Sequence, residues 1–101
     1  MRGLTVILVE ADRLEAALTL AMAQAALGGR ARLFAQGKAV AALGGGHALL
    51  GEALDLGVEV LACQTGLAET GLALDMLDPR VAAAGPVSVL QTLGEDRLLL
   101  A

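Results

Sequence analysis

The chain has 101 residues, 56% of them hydrophobic and 18% charged, which is enough apolar surface for one core and too much for intrinsic disorder. A net charge of -4 and an acidic pI near 4.7 argue against a nucleic-acid or anionic-membrane partner, since both need a positive field to bind. One phenylalanine, with no tryptophan or tyrosine, also removes the stacking platforms that bases require.

Leu4 to Val9 is a continuous apolar run rich in β-branched residues, the pattern of a central parallel strand covered on both faces. Asp12, with Glu15 three residues on, has capping-box spacing. It predicts a helix in which Leu14, Ala17, Leu18, Ala21, Met22 and Ala25 repeat at helical intervals up to Gly28-Gly29. The mean hydropathy of +0.70 raises the question of a membrane span. The longest apolar stretch, 16–29, holds Thr19 and Gln24, is bracketed by charges and falls short of the roughly 20 residues a bilayer requires, so it is expected to be a buried helix.

Arg30 to Phe34 reads as a second strand and Ala35 to Lys38 as the loop leaving it, with one helical turn over Lys38 to Leu43 that Gly44-Gly45-Gly46 interrupts. Leu49 to Gly57 keeps helical spacing, and Val58 to Leu61 forms a third strand ending at Ala62-Cys63. A third helix is expected from Thr65 or Gly66 to Leu77, stopped by Asp78-Pro79, then a short strand from Arg80 to Ala84. Pro86 suits the first position of a helix running to Leu93, and Arg97 to Leu100 is a fifth strand. This alternation predicts a single domain over residues 1–101. Its fold class is α/β, a three-layer, open, mostly parallel five-stranded sheet with flanking helices, Rossmann-like or flavodoxin-like.

In such a sheet the ligand side is the carboxyl edge, where helix N-termini point their unpaired amides. Four segments are expected there: Glu10 to Asp12, Ala35 to Lys38, Ala62 to Thr65 and Ala84 to Pro86. Cys63 lies in the third. A thiol between a strand end and a helix start has its thiolate stabilised by the helix dipole and so becomes a usable nucleophile. The competing reading is a small buried hydrophobe, the commonest fate of a free cysteine. Gln64, Thr65 and Gly66 are candidate donors to the thiolate, although an N-cap role suffices for Thr65. Gln36 and Lys38 on the adjacent loop, and Glu10 on the next, are candidate substrate-binding residues, with a solvated surface lysine the favoured account of Lys38.

The stretch from Gly57 to Leu72, GVEVLACQTGLAETGL, resembles the cysteine-bearing strand and helix of the DsrE/DsrF-like family, which includes the TusD-type sulfur-relay subunits. The opening apolar strand, the Ala-rich first helix, the LFAQGKAVAAL segment and the closing GPVSVLQTLGEDRLLLA are similar in layout, so the resemblance spans nearly the whole chain. It implies that Cys63 accepts a sulfane sulfur as a persulfide and passes it to a partner thiol. Sulfur donor and acceptor proteins or small thiols would then be its partners, and neither cofactor nor metal would be needed. The resemblance also implies that the fifth strand returns beside the first, with three helices on one face and one on the other. The thinly covered face predicts a homo-oligomer, a trimer or hexamer as in the family. The alternative function is a non-catalytic oligomeric binding or regulatory module in which Cys63 is structural.

A single cysteine excludes a dithiol mechanism within one chain and suits a reducing compartment, and no export signal is read at the N-terminus, so a cytoplasmic location is expected. Gly44-Gly45-Gly46-His47 fits neither a Walker loop nor a dinucleotide fingerprint. His47, the only histidine, has no second ligand at metal spacing and is expected to begin the second helix.

Overall fold

A computed structural model describes residues 1–101. Nine regular elements alternate along the chain: β1 (Leu4–Leu8), α1 (Leu14–Ala26), β2 (Ala31–Ala35), α2 (Ala48–Asp55), β3 (Glu59–Cys63), α3 (Gln64–Thr70), β4 (Ala82–Ala84), α4 (Pro86–Gln91) and β5 (Arg97–Leu100). The five strands form one sheet in the order β4-β3-β2-β1-β5, and every neighbouring pair is parallel. The α/β architecture is as the sequence predicts, and the last strand lies beside the first, the order that the resemblance implies.

Right-handed crossovers from β1 through β4 move the chain steadily one way and place α1, α2 and α3 on one face. The crossover from β4 back to β5 runs the other way and leaves α4 alone on the opposite face. The α1 face is dry, with Val6, Leu8, Leu33, Ala35, Val60 and Ala62 all fully buried, as expected for strands covered by helices. On the other face the six residues of α4 cannot cover five strands, and Leu98 and Leu100, aligned with Thr5 and Ile7, stay exposed.

That second face carries a buried polar cluster. Arg32, aligned with Thr5, donates from Nε to Thr5 Oγ1 (3.0 Å), from one terminal nitrogen to Thr92 Oγ1 (2.8 Å) and from the other to the Val89 carbonyl (3.1 Å). Thr5 in turn donates to Asp96 Oδ2 at 2.9 Å. The guanidinium thus ties the end of α4 to the sheet, and Asp96 ties in the turn that starts β5. Burial pulls the Arg32 guanidinium below its ordinary pKa, nearby Arg30 adds to this, and Glu59 and Asp96 oppose it.

Several boundaries differ from expectation, each for a local reason. Asp12 does not cap α1: Ala11–Arg13 form a 3-10 turn, and Arg13 stands at the cap with no side-chain bond. The turn after β2 is a 3-10 segment over Gly37–Gly45 that runs through Gly44 and ends at Gly46, whose φ of 63° only glycine adopts freely. α3 begins at Gln64 and stops at Thr70, not Leu77. Gly71 adopts a left-handed conformation there, and residues Leu74–Met76 make a separate 3-10 turn. The N-cap of α3 is Cys63, so Thr65 lies inside the helix and is not its cap. His47 does begin α2, its Nδ1 accepting a hydrogen bond from the Leu49 amide at 3.2 Å.

Candidate functional site

Cys63 is the last residue of β3 and immediately precedes α3, so its α-carbon stands on the carboxyl edge of the sheet. Its register partner on β4 is Ala84, and the chain leaves Ala84 through Gly85 into Pro86 at the start of α4. Alternation along β3 sets the direction of the side chain. Arg32 reaches α4 and is aligned with Glu59, so Glu59, Leu61 and Cys63 share the α4 face. The thiol is 3% exposed, joins the hydrophobic core and makes no capping hydrogen bond to the α3 amides. The expectation that the amides at the start of α3 bind the sulfur directly is therefore corrected. β-strand geometry directs the side chain across the sheet, away from the helix that follows.

Gln64 and Thr65 are exposed on the first turn of α3, and Gly66 is buried. A Cβ at Gly66 would collide with the Gly37 carbonyl and with Val40, so glycine here lets α3 lie directly on the segment after β2. This close approach brings the loop carrying Gln36 and Lys38 alongside the loop carrying Cys63 and Gln64. Gln36 caps the 3-10 segment, its amide bonded to the Leu8 carbonyl at 3.0 Å, and its side chain is exposed. Lys38 is exposed and forms no ion pair.

Glu10 is not part of this grouping. Its amide bonds the Ala101 carbonyl at 3.1 Å, on the β5 side of β1, while Cys63 ends a strand two places away on the other side. With neighbouring strands spaced about 4.8 Å apart, roughly 10 Å of sheet separates the two strand ends. Of the expected site residues, the loop of Gln36 and Lys38 lies beside the chain segment of Cys63, Gln64, Thr65 and Gly66, the Cys63 thiol itself is turned to the α4 face, and Glu10 lies outside.

A pocket of about 200 Å³ opens between β3 and α4 on the face that Cys63 shares, lined by Arg32, Glu59, Leu61, Ala84, Ser88 and Thr92. Leu61 and Ala84 connect it to the thiol, being its same-face neighbour on β3 and its register partner on β4. Sequence reasoning missed Arg32 and the polar groups around it. The available signal was two arginines in a short strand, Arg30 and Arg32, at positions that alternation places on one face.

No family model and no curated protein matches the sequence. Solved structures do. The chain is similar to the YchN protein of E. coli, at 24% identity and a TM-score of 0.78, and to MTH1491 of Methanobacterium thermoautotrophicum, a protein of unknown function, at 17% identity and a TM-score of 0.80. Both similarities cover the whole of each chain, and at these identities they establish the fold alone.

Proposed function

We propose that this chain is a sulfur carrier in which Cys63 accepts a sulfane sulfur as a persulfide and hands it to a partner thiol. The observation that carries this reading is the position of the only cysteine. It ends a central strand on the carboxyl edge, next to exposed polar residues from two loops that Gly66 holds together. In the transfer, the Cys63 thiolate attacks the outer sulfur of a donor persulfide. The donor S–S bond breaks, the donor leaves as a thiolate, and Cys63 holds the S–SH group. An acceptor thiolate then attacks that outer sulfur and regenerates Cys63. Because the thiol is 3% exposed, a donor reaches it through a local opening of the chain above the ends of β3 and β4.

The carrier works as a homo-oligomer, a trimer or hexamer, because α4 leaves apolar sheet and helix surface open, including Leu90 and Leu100. No helix is long and apolar enough to cross a membrane. A lone thiol that must stay reduced supports a cytoplasmic setting for this reading. The low exposure of Cys63 favours a second reading, an oligomeric binding module in which the thiol only packs.

Exposure to inorganic polysulfide followed by intact mass measurement separates the two. The carrier gains the mass of one sulfur atom and the Cys63→Ser variant gains none, whereas a packing cysteine leaves both masses unchanged.

A further inference from the structure

β5 is an edge strand whose four residues are all exposed; its shortness and the charge of Arg97 at its start are its only protections, since it has no lysine, no proline and no covering helix. The amides of Arg97 and Ala101 bond to the Gly3 and Ile7 carbonyls of the inner neighbour. By alternation, the N–H and C=O groups of Leu98 and Leu100 point outward and are free to pair.

Beside this edge, on the α1 face, lies a mostly apolar groove of about 480 Å³ lined by Leu4, Leu20, Ala23, Leu27 and Leu99, with Gln24 and Arg97, which bond each other at 3.0 Å, as its polar members. One end of the groove continues into a hollow lined by Arg2 and Arg97, and the other into a hollow lined by Asp12 and Glu15. Glu10 also stands at the acidic end, bonded through its amide to Ala101. Arg13 and Glu95, the opposite charges near these ends, line neither hollow. A strip that runs from basic through apolar to acidic is complementary to itself when reversed.

We propose that this edge and groove bind a second copy of the chain through a two-fold axis perpendicular to the sheet, pairing β5 antiparallel with its counterpart. The outward groups fix the register. Only when Leu99 faces Leu99 of the other copy does each Leu98 meet a Leu100, so that all the outward groups of both residues pair. Leucine then meets leucine on both faces, Arg2 and Arg97 of each copy face Glu10, Asp12 and Glu15 of the other, and two five-stranded sheets become one of ten. This contact is distinct from the open α4 face named above and would supply the two-fold contact of that oligomer. A two-fold contact fits a dimer or a hexamer built from dimers, and it excludes a simple trimer. It does not depend on the chemistry of Cys63.

The test uses the full-length chain in a Cys63→Ser background, so that each added cysteine is the only one. At Leu99 the pair lies beside the axis in a non-hydrogen-bonded site, where α-carbons are about 4.5 Å apart and within disulfide reach. Leu99→Cys is expected to form a covalent dimer on mild oxidation, while Leu98→Cys, diagonal to its own copy at about 7–8 Å, is not. Light scattering should give an even-numbered assembly for the parent chain and a smaller one for Leu99→Lys, with unchanged circular dichroism showing that this variant is folded. A monomeric parent overturns both this inference and the oligomer it specifies. An oligomer that Leu99→Lys leaves intact, or that Leu99→Cys fails to cross-link, overturns the β5 contact and leaves the broader oligomer reading standing.

Discussion

Arg32 on β2 and Asp96 before β5 face each other beneath α4, with Arg32 Nε 3.8 Å from Asp96 Oδ2 and the Thr5 hydroxyl bonded to both. Both side chains are almost wholly buried, and no buried side-chain nitrogen or oxygen in the chain lacks a partner. Arg30 Nε also lies 3.4 Å from Asp96 Oδ2, so losing Arg32 leaves Asp96 a cationic partner, whereas losing Asp96 strands the buried Arg32 without a carboxylate. Asp96→Leu is therefore expected to cost about 3–5 kcal/mol in urea unfolding, and Arg32→Met less. The double variant Arg32→Met, Asp96→Leu should cost less than the sum of the single variants. Additive losses would show that the two groups do not depend on each other.

Gly66 is the contact on which the two site loops depend. Adding a methyl group there drives it into the backbone carbonyl of Gly37, which cannot rotate away as a side chain would. Gly66→Ala is expected to destabilise the chain by about 1–3 kcal/mol, the usual cost of overpacking. Unchanged stability would mean that α3 does not rest on that segment.

The tether between α2 and the approach to β4 sets a pH dependence. Arg80 donates to Asp78 at 3.0 and 3.1 Å and to Asp55 at 2.6 Å. The side-chain hydrogen bonds from Arg80, followed by the bond from its backbone amide, hold the Asp78 carboxyl below the ordinary carboxylate range, and the same contacts raise Arg80. A carboxyl whose folded pKa is depressed contributes stability that is present above its unfolded value, near 3.8, and lost as pH falls through the folded value. The group is solvent-exposed, so the effect on global unfolding is small and is best read by carboxyl NMR. Asp78 should titrate below the ordinary carboxylate range, and Arg80→Ala should bring it back. A titration of Asp78 unmoved by Arg80→Ala would contradict the tether.

The β-α alternation was legible because strands buried over all but their first residue, such as Leu4–Leu8 and Glu59–Cys63, are short, mostly apolar runs between glycine and polar punctuation. Helix ends were less legible where tertiary packing decided them. Leu74, Met76 and Leu77 keep helical spacing, yet Gly71 turns left-handed and ends α3 early. Asp12 and Glu15 show cap spacing, yet the chain spends those positions on a 3-10 turn and the start of α1. At the candidate site, the placement of Cys63 on the sheet edge followed from strand length alone. Its burial did not, because it depends on which face of β3 the thiol takes and on the segment that follows Ala84. The role of Arg32 was equally hidden, since its partners Thr5, Val89, Thr92 and Asp96 come from three distant parts of the chain.

The sulfur-carrier reading is tested most directly with isotopically labelled polysulfide. After removal of excess reagent, intact mass and peptide mapping should find one labelled sulfur on Cys63, and incubation with a small acceptor thiol should move that atom to the acceptor. A folded chain that takes up no label, or a Cys63→Ser variant that takes up as much as the parent, would contradict it.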